Sequence, residues 1–508
     1  MLRTIVSDGL KKCWLASTAL ALSACSLVQF QPIETISKIN PDSGYRLQQA
    51  IAKRPQSQNE DDMFVVLMLS GGGTRAAALG YGVLEQLSRQ NVWVNGREMP
   101  LIDNIDLVYG VSGGSVLAAY FSLYGNDTIP SFERRFLKQN LQRQFAKQVF
   151  STANLPRLTS PQFGRGDLLQ EQFDSSLFRH ATFGDLEKRR KGPFAVITAT
   201  DMSQGRRLDF TQEYFDAMCL NLSDLPIARA VAASSAVPLV FSPLTLNNNG
   251  GNCGYTLPTP LKQALASDTD KLQHTTRREF SSGLRQYEDS SERPYIHLLD
   301  GGLTDNLGLR SLLDVTEIYP NNMLYSQFAD GKMSKIVIIN VNAQNQIHSD
   351  IDKSPDIPGV GAVLDAIINI PIDQYSQESL RRFRAFADKW NEDVRASKAG
   401  NEVSMYFVSL NLRDLPESQL RQNTLNIPTS FYLPGSDIND LKEAARVLMR
   451  QSAEYQRLLK DLSVQPSVAA APFAKPYWFV GEGPVQPAGP AGVKPEYDAL
   501  FKTASALE

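Results

Sequence analysis

The sequence predicts an α/β fold, a three-layer sandwich around a mainly parallel central sheet. Short apolar runs dense in Val and Ile recur between positions 63 and 341, and helical patterns separate them. The runs are MFVVLML (Met63–Leu69), IDLVYG (Ile105–Gly110), FAVITATD (Phe194–Asp201), YIHLLD (Tyr295–Asp300) and KIVIINV (Lys335–Val341). They lack simple alternation, as expected of strands covered on both faces. Thr74–Arg89 and Gly113–Tyr124 read as helices, and strand–helix–strand succession implies right-handed crossovers.

A chain of 508 residues with net charge −3 and no basic stripe leaves room for a sizeable core and argues against a nucleic-acid partner. At the N-terminus, Arg3, Lys11 and Lys12 precede an apolar stretch, Trp14–Ala24, too short to span a bilayer. It ends in LSAC, Leu22–Cys25, which looks like the lipobox of bacterial lipoproteins, with Cys25 as the acylated first residue of the processed chain. An ordinary signal peptide is the alternative. By the same resemblance, Ser26 after the cysteine does not favour retention at the inner membrane, so an outer-membrane lipoprotein is expected. Export then leaves Cys219 and Cys253 in an oxidising compartment, either as a disulfide or as two buried thiols.

The expected organisation is a signal peptide over 1–24, a lipidated start and polar tether over 25–62, and a catalytic domain over 63–345. A polar insert, 244–294, interrupts that domain as a lid or a disordered excursion. A helical extension follows over 346–463. Its stripes Leu380, Phe383, Ala387, Trp390, Val394 and Ile438, Leu441, Ala445, Leu448 read as packing faces. Residues 464–508 form a Pro- and Ala-rich tail, in which PYWFV (Pro476–Val480) is a candidate for docking on the body.

Three elements carry chemistry. Gly110-Val111-Ser112-Gly113-Gly114 fits G-x-S-x-G, a weak pattern alone but here set between a strand and a helix, as a sharp nucleophile turn requires. LSGGGTRAAALG (Leu69–Gly80) runs from a strand into a helix, and its Gly72 and Gly73 N–H groups, with Thr74, are candidate oxyanion donors. Gly71, Gly73 and Ala76 also fit a dinucleotide fingerprint, but Asp103 and Asp106 come too early to serve as its acidic partner, and no P-loop is present. Third, Asp300 ends a strand and is followed by Gly301 and Gly302.

The base stays open between two arrangements. Ser112, Asp300 and His348 follow the chain order of an α/β-hydrolase triad. The alternative is a dyad in which Asp300 itself takes the proton, its basicity raised by desolvation. Of the other histidines, His297 sits three residues before Asp300, on the opposite face of one strand, while His180 and His274 lie in polar sequence.

GGGTR, GVSGG and DGG in this order resemble the patatin-like phospholipase family, as do ITATDMSQGRRLDF (Ile197–Phe210) and ARAVAASSAVPLVFSP (Ala228–Pro243). The resemblance covers about residues 63–313 without the insert. It implies a patatin-like fold and a Ser112–Asp300 dyad without metal or cofactor. It further implies an oxyanion hole of Gly71, Gly72 and Gly73 oriented by Arg75, and membrane phospholipid or lysophospholipid substrates. Rival expectations are a thioesterase or neutral esterase, and a non-catalytic envelope lipoprotein that binds lipid or aids assembly.

Overall fold

A computed structural model describes residues 28–52, 62–94, 96–266, 271–318, 333–345, 352–396 and 403–463. Cys25, His348, the signal peptide and the tail over 464–508 lie outside them. The main elements are β1 (Asp62–Leu69), α1 (Gly73–Arg89), β2 (Ile105–Val111), α2 (Gly113–Tyr124), β3 (Phe194–Asp201), β4 (Arg206–Asp209), α3 (Ile227–Ser234), β5 (Leu244–Asn247), β6 (Tyr295–Asp300), β7 (Met333–Asn342), α4 (Val360–Ala396), β8 (Ser404–Asn411) and α5 (Gly435–Gln451).

The sheet order is β8-β7-β1-β2-β3-β6-β5, with β4 paired to β3. Every neighbour from β8 to β3 is parallel. The fold is thus an α/β sandwich with a mainly parallel sheet, as the apolar runs imply. All of β3 is buried, which explains its largely apolar character. β6 differs. It runs antiparallel to β3 and β5, and its Ile296, Leu298 and Asp300 are buried while Tyr295 and His297 are exposed. It therefore alternates, and one of its faces meets water.

Three expectations of organisation need correction. The segment read as a tether is docked over residues 28–52. Tyr45 is buried and stacks on Phe194 at 4.0 Å, and its hydroxyl exchanges hydrogen bonds with the Ala195 backbone. Arg46 forks onto Asp216, and Ile36 N–H donates to Cys219 O. Buried aromatic area and a paired cation fasten a stretch whose overall polarity suggested solvent.

The insert is not an excursion either. It opens with β5, a strand of the sheet, and continues in helices Thr259–Ala266 and Lys271–Arg285. Tyr287 and Arg293 both donate to Asp201 at the end of β3, and a Cys219–Cys253 disulfide ties the segment to the core.

Beyond β7 the chain is not simply a helical extension. SMYFVSLN forms β8 and completes the sheet edge along Lys335–Asn342 of β7. The two apolar stripes are packing faces. Phe383 of α4 meets Phe407 of β8 at 4.8 Å, and Trp390 Nε1 donates to Val403 O. On α5, the buried Leu441 and Ala445 face α1, where Gly82 leaves no room for a side chain.

A Cβ at Gly82 would lie 2.9 Å from both Ala445 Cβ and Lys442 Cα. Gly82→Val is therefore expected to lower stability by about 1–3 kcal/mol through overpacking. Urea unfolding monitored by circular dichroism checks this, and an unchanged midpoint would mean that α5 does not press on α1 there.

Candidate active site

β1 and β2 are adjacent and parallel, so the loops at their carboxyl ends face each other, as happens generally at such an edge. Leu69 pairs with Gly110, which sets the GGGTR loop beside the serine turn. Ser112 follows β2 at φ 50°, ψ −123°, in a region a non-glycine residue enters at a cost of about 1–3 kcal/mol. Gly113 packs against the Gly73 backbone, and a Cβ at Gly114 would sit 2.5 Å from Leu69 O. Side chains at either position would push the two loops apart. Gly110 is equally crowded by Ser115 and Ala118 of α2.

Asp300 arrives from the other direction. Antiparallel β6 pairs it with Ala199, while parallel β2 pairs Val111 with Thr198. Serine and carboxylate thus meet at one level of the sheet. Ser112 Oγ donates to Asp300 Oδ2 at 2.7 Å, and Gly302 N–H donates to Oδ1 at 2.8 Å. Gly301 packs on Thr198 O. Burial pushes the Asp300 carboxyl up to about 6, against the lowering pull of the Ser112 and Gly302 donors. The pair is thus a hydroxyl held on a desolvated carboxylate, the geometry a general base requires.

The glycine loop divides its donors. Gly71 N–H is taken by Asn306 O, and Thr74 N–H by Ser430 O. Neither is free for an oxyanion, which corrects the inclusion of Gly71 and Thr74 among the donors. Gly71 instead provides space, since a Cβ there would press on Asn306 Oδ1 and approach Ser112 Cβ to 3.3 Å. Gly72 and Gly73 have positive φ, and their N–H groups have no hydrogen-bond partner among the described residues. Buried Arg75 donates to Ala343 O at 2.7 Å and Ile427 O at 2.6 Å, clamping the loop to β7 and to the C-terminal region. Burial pulls its guanidinium down to about 10, still a cation at neutral pH.

Sequence reasoning missed three supports. Ser234, at the end of α3, accepts the Ser112 N–H at 2.8 Å and donates to Thr198 O at 2.6 Å. The same turn accepts Asp300 N–H at Ala236 O and Gly301 N–H at Ser234 O. It lies inside ARAVAASSAVP, whose crowding of small residues signals close packing. Asn306 and Ser430 act through backbone carbonyls, and no local pattern marks them. A further buried cluster braces the acid turn. Arg207 pairs with Asp209 at 3.1 Å and Asp314 at 2.9 Å, while the Asp305 carboxylate accepts the Ser311 N–H at 3.2 Å.

The described histidines stand apart. His297 Nδ1 contacts Thr245 Oγ1 at 3.0 Å on the exposed face of β6, and His180 pairs with Asp174 at the surface. His274 lies on the second helix of the insert, and His348 falls outside the described residues. Among the described residues no cluster of His, Cys, Asp and Glu could hold a metal ion.

Residues 67–313 match the patatin-like phospholipase family. No curated protein sequence matches the chain. Among solved structures, the chain is similar to human GIVD cytosolic phospholipase A2, at 13% identity and a TM-score of 0.42, over 82% of this chain and 64% of that one. The chain thus spans less than two thirds of that protein's length. It is also similar to VipD from Legionella pneumophila, at 11% identity and a TM-score of 0.27, over 86% and 72% of the two chains.

Because its folded carboxyl is raised, Asp300 contributes stability that is full below pH 3.8 and lost as pH rises through about 6. Asp300→Asn is expected to stabilise the fold by about 2–3 kcal/mol at neutral pH and by little near pH 4. Urea unfolding at the two pH values tests this, and an equal gain at both would contradict it. Ser234→Ala strands the Ser112 N–H and Thr198 C=O groups, so the same measurement should show a loss of about 1–3 kcal/mol.

Proposed function

Starting from a patatin-like phospholipase domain over residues 67–313, we propose that this chain is a membrane-anchored serine acylhydrolase acting on phospholipid or lysophospholipid esters. The single observation that carries this is the buried 2.7 Å hydrogen bond from Ser112 Oγ to Asp300 Oδ2 on a strained turn. Asp300 is the base. As Ser112 Oγ attacks the ester carbonyl carbon, its proton passes to Asp300 Oδ2. The carbonyl oxygen becomes an oxyanion facing the Gly72 and Gly73 N–H groups and the positive end of α2. When the tetrahedral intermediate collapses, Asp300 gives the proton to the leaving alcohol oxygen. Water then attacks the acyl-serine, Asp300 takes its proton and returns it to Ser112, and the fatty acid departs.

In this reading Cys25 is acylated and holds the enzyme at the outer membrane. The LSAC sequence after a signal-like apolar stretch supports it. More than one acyl chain is needed, because a single chain binds bilayers only marginally.

With Asp300 raised to about 6, kcat/KM should climb with pH, half-maximal near pH 6, as the carboxylate form accumulates. A fluorophosphonate probe should label the enzyme but not its Ser112→Ala variant, and Asp300→Asn should lower kcat by about 1,000-fold or more. His348→Ala should keep nearly full activity. If it matched Asp300→Asn in damage, a triad would replace the dyad. If Ser112→Ala hydrolysed lipid as fast as the unsubstituted chain, a non-catalytic lipoprotein would be the better description.

A further inference from the structure

α4 does not end where the body ends. It runs alongside β8 in the opposite direction, with Asn391 bonded to Met405, Phe383 against Phe407 and Asp373 ion-paired to Arg413 at 2.8 Å. Arg413 lies just past the last residue of β8. Residues of α4 before Asp373 therefore project beyond the carboxyl edge of the sheet, the edge that carries Ser112. Thirteen residues, Val360 to Ile372, extend about 20 Å at helical rise. α4 also packs against Gly302–Asp305, the turn directly after Asp300.

This projection is apolar and exposed. Ile357 is 94% accessible, Val360 77% and Ile367 62%, and a groove of about 500 Å³ runs along Pro358–Pro371. The sequence GVGAVLDAIINIPI contains one charge, Asp365. Such a stretch is too short to cross a bilayer, but its length suits burial at a lipid interface.

Two further segments with exposed apolar side chains, joined by the Phe145–Phe241 contact at 5.2 Å, lie near the exit of the N-terminus. Phe150 is 78% exposed and Leu239 63%, with Leu155 and Val240 beside them in sequence order also exposed. Arg165 donates to Leu239 O, and Gly166 N–H to Ser242 Oγ. In the same stretch, Ser160 Oγ donates to Val28 O at 2.9 Å and Gln162 accepts from Phe30 N–H at 2.8 Å. Phe30 packs edge-on to Tyr295 at 5.6 Å. Asp201, the last residue of β3, pairs with Leu298, so Tyr295 stands three residues past it, about 10 Å beyond the carboxyl edge. From Val28 to Cys25 the chain can reach at most about 10 Å.

We propose that the carboxyl edge docks, through the projecting start of α4 and the Phe150–Leu239 patch, on the lipid leaflet that holds the chain's own acylated Cys25. The proposal rests on the readings of Cys25 as acylated and of Ser112 as lipid-hydrolysing. A docked segment 28–52 cannot pay out as a tether, so the body stays within reach of its anchor. The exposed apolar surface then has a lipid interface to cover it, and the ester-bearing lipids of that leaflet lie nearest to Ser112.

The test uses the full acylated chain in vesicles of phosphatidylethanolamine and phosphatidylglycerol. An environment-sensitive dye is placed at Ile367→Cys, at Phe150→Cys, and at Arg446→Cys on α5 as reference. Lipids brominated in their acyl chains should quench the first two dyes at least about threefold more than the third. Equal quenching at all three positions overturns the docking. The double variant Val363→Glu, Ile367→Glu should lose about tenfold or more of its hydrolysis of vesicle lipid, while hydrolysing a monomeric short-chain ester as before. Unchanged vesicle hydrolysis counts against the proposal. Labelled lipid in the enzyme's own vesicles should be consumed at least about tenfold faster than the same lipid in added protein-free vesicles, and equal rates overturn the choice of leaflet.

These arms separate the premises. If the unsubstituted chain hydrolyses neither ester, the reading of the reaction fails, and the dye measurement alone still decides the docking. If mass spectrometry finds an unacylated N-terminal peptide, the leaflet assignment falls with the anchor. Conversion of a dimer to a monomer by the double variant, without dye quenching, would make this face a contact between two copies and overturn the proposal.

Discussion

The level at which β6 meets β3 is the constraint on which the site depends. Ala199 pairs with Asp300 on one side of β3, and Thr198 pairs with Val111 on the other. This double pairing brings a serine from a parallel strand and an aspartate from an antiparallel one to a 2.7 Å hydrogen bond. A slip of one residue in β6 would turn Asp300 to the opposite face of the sheet. Ser234 guards against that slip. Its α3 turn binds the backbone of Ser112, Thr198 and Gly301 together and holds the Ser112 strain in place.

The same logic explains why the C-terminal region belongs to the working unit. Ser430 takes the Thr74 N–H, and Arg75 reaches Ala343 and Ile427. The glycine loop is thereby fixed from outside the family-matched segment. Fixing it leaves Gly72 and Gly73 as the donors with no other hydrogen bond to keep. A loop held this way need not reorganise when charge develops, which is the source of an oxyanion hole's advantage over water.

Electrostatically the site is austere. Among the described residues no cation touches Asp300, and burial keeps its carboxyl high against two donors. A base with a paired arginine would be too weak, because its charged form would be stabilised. The cations nearby serve other carboxylates, with Arg207 held among Asp209, Asp305 and Asp314 and Arg293 on Asp201.

The parallel core, the serine turn, the glycine loop and the acid turn were legible in the sequence. Strands covered on both faces must be continuously apolar, and sharp turns at crowded loops must be glycine-rich. Those are local demands, so local sequence records them. The direction of β6, the docking of residues 28–52, the strand β8, and the roles of Ser234, Asn306 and Ser430 were settled only by tertiary structure. Asn306 and Ser430 contribute backbone carbonyls, which any residue carries, and Ser430 meets Thr74 across most of the chain. Side-chain chemistry is written residue by residue. Which distant backbone groups it will face depends on how the strands pair, and no short stretch of sequence fixes that.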